Sequence, residues 1–357
     1  MQSKSAQLQF LYLNITNHCN LKCRYCYDEK SKNIDNSSGQ PLEIYEKLSE
    51  DCFLLGVKSV VITGGEPIIN KKWFEISHFF VDKGITVRIS TNGTLLNEEI
   101  VKKFKELKAI VQISLDGDED VMSFITQTSG TYQKIINSVE LLKKYNIPFN
   151  LNAVIGGHNL HSVDFLNELS KKYDIRIRFN FYKDAFNAGQ GNIRALTISE
   201  FDKILFKLNE MKKENKNIYL SIPPLLTPEN FEYQFNPSCG WPINVGGVLA
   251  NGDVTVCGLA SCTPELVAGN IKNDSFFNIW KNSKLFNELR KFEVTDLKGI
   301  CKECPVNDLC VGACRFETYK LTKDLCSPNS MCQKYYEALL SGELNKRTFP
   351  SKMLEIV

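Results

Sequence analysis

The sequence predicts an α/β protein, a partial (β/α)6 TIM-like barrel followed by a cysteine-rich domain. Three observations carry this. Apolar, β-branched runs alternate with amphipathic helical stretches six times, the signature of βα units and a parallel sheet. The rhythm stops at Pro223-Pro224 and Pro228, which read as a linker or lid. Beyond it, nine of the thirteen cysteines fall within residues 239–332. The divisions are then 1–215 for the barrel, 216–238 for the linker, 239–340 for the cysteine-rich domain and 341–357 for a tail.

The elements follow in order. Residues 8–15 form an apolar first strand, and a cysteine loop follows directly. Residues 41–55 read as a helix with Leu42, Tyr45, Leu48, Cys52 and Leu55 on one face, so Cys52 is expected in the core. Strands are expected at 59–63, 85–90, 109–115, 148–155 and 175–182, and helices at 71–82, 97–107, 132–145 and 160–173. Ser199 with Asp202 is read as a capping box opening a further helix, whose stripe is Phe201, Ile204, Leu205, Leu208 and Met211. In β/α folds, chemistry gathers at the C-terminal ends of the strands. The unusual segments lie there: the cysteine loop, Gly64 to Pro67, Thr91 to Gly93 and Asp116-Gly117.

Composition narrows the function. The 357 residues, 43% of them hydrophobic, can bury a large core, and a net charge of +2 with interspersed signs gives no nucleic-acid footprint. No apolar run approaches the roughly 20 residues of a membrane span, and residues 1–9 are too polar for a secretory signal. So many cysteines without an export signal point to metal binding in a reducing, cytoplasmic setting rather than to disulfides.

The loop after the first strand carries Cys19, Cys23 and Cys26 as C-x3-C-x2-C. Iron–sulfur clusters usually take four cysteines, so three thiolates leave one iron open, the mark of a reactive site. A zinc knuckle is the bland alternative, but no fourth Cys or His follows shortly downstream. With Tyr25 before its last cysteine, the motif resembles the radical S-adenosylmethionine (SAM) superfamily. That resemblance implies that Cys19, Cys23 and Cys26 hold a 4Fe–4S cluster whose open iron chelates SAM, and that Tyr25 packs near the adenine. Gly64-Gly65-Glu66-Pro67 is similar to the family's GGEP motif, whose backbone and glutamate hold the SAM amino group; glycines permit close backbone approach and a carboxylate suits an ammonium. Ser90 and Asn92, in Ser-Thr-Asn-Gly, and Ser114 and Asp116, in Ser-Leu-Asp-Gly, resemble further SAM-contacting segments. The arginine common in relatives about ten residues beyond is replaced by Phe124-Ile125-Thr126-Gln127.

Cys239 is followed by Gly252 and Cys257, then by Cys301-x2-Cys304-x5-Cys310-x3-Cys314 and by Cys332. This pattern resembles the SPASM domain, an auxiliary iron–sulfur module. The resemblance implies a distal 4Fe–4S cluster on Cys301, Cys304, Cys310 and Cys332, and a nearer one on Cys239, Cys257 and Cys314. Three 4Fe–4S clusters are expected in all. Cys262 or Cys326 can complete the nearer cluster, or one of them can donate a hydrogen atom; the sequence leaves this open. Structural zinc is the alternative for the C-x2-C pair alone.

The implied activity is reductive cleavage of SAM to a 5′-deoxyadenosyl radical. The radical abstracts hydrogen from a ribosomally made peptide, leading to cross-linking, oxidation or epimerisation. Anaerobic sulfatase maturation and oxidation of a small molecule are the enzymatic alternatives; a metal-stabilised binding protein is the other. Sulfatase-maturating relatives carry aspartate after the cysteine matching Cys257, where Gly258 stands here. The expected partners are a peptide and a low-potential electron donor such as flavodoxin or ferredoxin. The first strand begins near residue 8, leaving no room for a leader-binding domain, so the peptide is expected to be leaderless, to be held by the barrel itself, or to be presented by a separate leader-peptide-binding protein. Neither nucleic acid nor membrane is expected.

Overall fold

In the computed structural model, residues 7–27, 39–185, 192–231, 243–260 and 263–344 are described. Ten strands run in order: β1 (Phe10–Asn14), β2 (Ser59–Thr63), β3 (Thr86–Thr91), β4 (Ile110–Ser114), β5 (Phe149–Ile155), β6 (Arg176–Phe181), β7 (Ile218–Ser221), β8 (Val245–Val248), β9 (Asp253–Thr255) and β10 (Val267–Asn270). The chain divides into two units, the first made of Met1–Ser114, Thr126–Phe149 and Gly240–Lys291, the second of Leu115–Ile125, Asn150–Cys239 and Phe292–Val357.

In the first unit β1, β2, β3 and β4 are parallel neighbours, and β8 joins the other side of β1, also parallel. β9 and β10 extend that edge antiparallel. Period-two alternation places Leu11, Leu13, Val60, Ile62, Val87, Ile89, Val111 and Ile113 in the core. Their register is direct: Leu11 faces Val60, and Ile62, Ile89 and Val111 align across three strands. Each such side chain contributes about 1.5–3 kcal/mol on full burial. The alternate positions Tyr12, Arg88, Ser90 and Gln112 form the polar face. The helix Leu42–Leu54 buries Tyr45, Leu48 and Cys52, so Cys52 is a core residue as its stripe predicts; burial drives its thiol well above the ordinary range.

In the second unit β5, β6 and β7 are parallel. Leu151, Ala153, Ile155, Ile177 and Phe179 are buried, while Asn150, Asn152, Arg178 and Asn180 alternate with them. The helices Ile198–Glu214 and Ser330–Leu340 pack in this unit, with Phe201 edge-on to Tyr335 and the Tyr335 hydroxyl donating to Asp202.

Three expectations need correcting. The capping box is Thr197 with Glu200, not Ser199 with Asp202: Thr197 Oγ1 accepts the Glu200 N–H at 3.2 Å and Glu200 Oε2 accepts the Thr197 N–H at 2.9 Å. Two short bonds from Arg194 fix Glu200 in that role, whereas Asp202 is taken by Tyr335. A helix at Glu119–Thr126 went unread because it is one short element between turn signals. β7 lies in the stretch read as linker, its four residues too short to show a period. Among the described residues, no helix is long and apolar enough to cross a membrane.

Candidate active site and auxiliary thiol nest

The cysteine loop is anchored in the first unit by the end of β2. The Gly65 N–H donates to Thr16 O at 2.8 Å, and the Glu66 N–H donates to His18 O at 2.7 Å. Only glycine permits this approach: a Cβ on Gly65 would lie 2.1 Å from His18 O, and one on Gly64 would lie 2.2 Å from Thr16 O. Gly64 also has φ +137°. Beyond this anchor Cys19, Cys23 and Cys26 are half-buried, none in a disulfide. The Leu21 N–H donates to Cys19 Sγ at 3.4 Å, and the Cys26 N–H to Cys23 O at 3.1 Å. These bonds turn the loop within its eight-residue span.

Glu66 is fully buried and its carboxylate points inward. Oε1 accepts from Thr91 Oγ1 at 2.8 Å and from the Ile68 N–H at 3.2 Å; Oε2 accepts from the Asn92 N–H at 2.7 Å. The carboxylate therefore ties the end of β2 to the end of β3. Burial outweighs these donors and lifts its pKa to about 7. Asn92 continues the chain of contacts: its Nδ2 donates to Asn20 Oδ1 at 2.9 Å and stands 3.9 Å from Cys19 Sγ. Pro67 is buried behind this joint, opening a short 3-10 turn. Thr91 and Asn20 lie in segments the sequence singles out, but neither is given a role of its own there, since a hydroxyl and an amide in turns carry no distinctive spacing.

Ser90 and Ser114 occupy the polar face at the ends of β3 and β4. Asp116 belongs to the second unit and is buried: Oδ1 accepts the Val154 N–H at 2.7 Å, and its carbonyl accepts from Asn159 Nδ2 at 3.0 Å. Like Glu66, it braces a strand end. Tyr25 is half-buried on the cysteine loop.

The auxiliary cysteines divide between the units. Cys257, in the first, is buried on the turn after β9, where a Cβ on Gly247 would lie 2.5 Å from its carbonyl carbon. Cys239 and Cys262 lie outside the described residues. Cys314, in the second unit, caps the helix Arg315–Thr322, its Sγ accepting the Glu317 N–H at 3.4 Å. Cys326 is half-buried, its N–H donating to Asp324 Oδ1 at 2.9 Å.

Cys301, Cys304, Cys310 and Cys332 do converge: all four line one cavity in the second unit, with Leu225 and Gly312 in its wall. Burial raises the thiols of Cys304 and Cys332, and that of Cys310 to about 12; neighbouring thiols add to the effect. Buried thiols that resist ionising suit a cationic core that displaces their protons. Four cysteines on one cavity, with no histidine among its lining residues, are a donor set that fits an iron–sulfur cluster.

Comparison with known proteins agrees with this geometry. Residues 13–169 match the Radical SAM superfamily, and residues 239–305 match SPASM, an iron–sulfur cluster-binding domain. The AdoMet-dependent heme synthase of Methanosarcina barkeri is 27% identical over 340 residues, 89% of this chain and 94% of that protein. The PqqA peptide cyclase of Bradyrhizobium diazoefficiens is 26% identical over 364 residues, 96% of this chain and 94% of that protein. The crystal structure of Streptococcus suis SuiB bound to precursor peptide SuiA superposes with a TM-score of 0.74 at 17% identity, over 92% of this chain and 76% of that one, which establishes a common fold. The chain thus carries a radical SAM domain and a SPASM domain, which indicate S-adenosylmethionine and iron–sulfur clusters.

Proposed function

We propose that this enzyme modifies a ribosomally made peptide by radical chemistry. The observation that carries the reading is the end-to-end relation to a peptide cyclase, 96% of this chain against 94% of that protein. The strand faces support it. Ser90 and Gln112 in the first unit, and Asn150, Asn152 and Asn180 in the second, offer uncharged donors and acceptors suited to a peptide backbone.

The residues take distinct roles in this reading. Cys19, Cys23 and Cys26 would hold a cluster with one open iron, which with SAM supplies a 5′-deoxyadenosyl radical. An ammonium needs acceptors, and the N–H groups of Gly65 and Glu66 are directed at Thr16 and His18; the loop's main-chain carbonyls are the groups that suit the SAM amine. Glu66 holds that loop in place instead of gripping the ligand with its side chain. Asn92 positions Cys19, Ser90 and Ser114 present hydroxyls, Asp116 holds the turn after β4, and Tyr25 offers an aromatic face to adenine. Residues 239–340 would hold two auxiliary clusters, on Cys239, Cys257 and Cys314 and on Cys301, Cys304, Cys310 and Cys332. A flavodoxin or ferredoxin would supply the electron and a separate protein would present the leader.

A second reading, oxidation of a small molecule, draws on the 27% identity to a heme synthase. Anaerobic reconstitution with SAM and reductant tests both. A SAM-dependent mass shift on a peptide encoded beside the gene is the expected result. Turnover of a haem precursor with no peptide modified would overturn the first reading in favour of the second.

A further inference from the structure

Arg315 begins the helix that Cys314 caps and is 5% exposed. Its fork is spent on main-chain carbonyls: Nη1 donates to Leu325 O and Ser327 O at 2.8 Å each, and Nη2 donates to Gly312 O. Nε is buried and, among the described residues, has no partner. The carboxylate nearest in sequence, Glu317, is engaged by Lys183, with the Ser330 hydroxyl at 3.3 Å. Among the described residues, no carboxylate forms an ion pair with this buried guanidinium. Arginine does not escape this by losing its proton, and an unpaired buried charge costs several kcal/mol. A second observation points to what balances it. Gly312 lines the four-thiol cavity, and a Cβ there would lie 2.5 Å from the Arg315 Cζ, so the guanidinium packs directly against the cavity wall.

We propose that Arg315 is the fixed counter-cation of the cluster held by Cys301, Cys304, Cys310 and Cys332, with its Nε–H turned to that cluster's sulfur shell, and that it makes this cluster easier to reduce. A four-iron core with four thiolates is anionic overall, and reduction adds one electron and one more negative charge with no bond broken. Net charge and hydrogen bonds to sulfur set such potentials. Arg315 is a positioning and tuning residue here; it touches no substrate. The inference rests on the cluster assignment but not on the identity of the substrate.

The test is an anaerobic redox titration, followed by electron paramagnetic resonance, of reconstituted full-length protein carrying Cys23→Ala to silence the SAM cluster. Arg315→Gln keeps polar reach and removes the charge; Arg315→Lys keeps the charge and removes the fork. One auxiliary midpoint should move negative in the Gln variant and stay near its original value in the Lys variant. Loss of four irons from the Gln variant alone would also support the charge pairing. An unmoved midpoint in the Gln variant, an equal shift in both variants, or equal iron loss from both would overturn the proposal, the last by reducing Arg315 to a clamp on three carbonyls. Cys310→Ala run alongside separates the two levels: if it removes no iron, the cluster assignment itself fails and the inference with it.

Discussion

The two cysteine sites solve opposite electrostatic problems. Around Cys19, Cys23 and Cys26 the thiols are half-exposed, and the scaffold is completed by the protein: Glu66 joins β2 to β3 and Asn92 reaches toward Cys19. Around Cys301, Cys304, Cys310 and Cys332 the thiols are buried, and a guanidinium beside them keeps one buried N–H without a partner among the described residues. The first site is held by hydrogen bonds of the protein and leaves its thiols partly exposed, while the second encloses its thiols. Exposure thus separates a reacting centre from an auxiliary one more clearly than cysteine count does.

The largest expected effect breaks the open site alone. Cys23→Ala should reduce 5′-deoxyadenosine release to background, read by chromatography after reduction with SAM present. Next, Cys310→Ala should abolish peptide product while some SAM cleavage persists uncoupled; equal product from both variants would erase the distinction between the sites. Prolonged chelation should act unequally on stability. Amide exchange should rise first at residues 299–344, where metal supplies stability that a small core does not, while β1 to β4 keep their protection.

Glu66 gives the smallest and sharpest comparison. Glu66→Ala deletes three hydrogen bonds and leaves three donors to find other partners, costing about 1–3 kcal/mol and loosening the SAM loop without removing its cysteines. SAM cleavage should fall while iron content holds. The pH dependence has a definite sign. Burial raises the Glu66 pKa from 4.5 to about 7, so the folded chain binds the proton more tightly than the unfolded one. Its favourable contribution is complete below the lower value and is lost as pH rises through the upper one, with an upper bound of roughly 3 kcal/mol. Glu66→Gln, which cannot ionise, should flatten the fall in denaturant midpoint across that window; an unchanged slope would place the titration elsewhere.

Much of this architecture is legible in the residues. The alternation in β1 to β6 and the cysteine spacings are local patterns, set by the two-residue period of a strand and by the reach of a short loop. The Cys52 stripe is legible for the same reason. What escaped were elements too short for a period to show, such as β7 and the helix at Glu119–Thr126, and the choice between two adjacent capping pairs. That choice was decided by Arg194 clamping Glu200 and Tyr335 occupying Asp202.

By itself the sequence determined β1 to β6, with ends within two residues, and which thiols share a spacing suited to iron. Only the tertiary structure decided that the Glu66 carboxylate faces Thr91 and Asn92, that Asp116 is spent on Val154, and that Arg315 packs against Gly312. Periodicity is a property of neighbours along the chain. The partner of a buried charge is settled by whatever distant segment excludes water around it, and no local pattern records which segment that is.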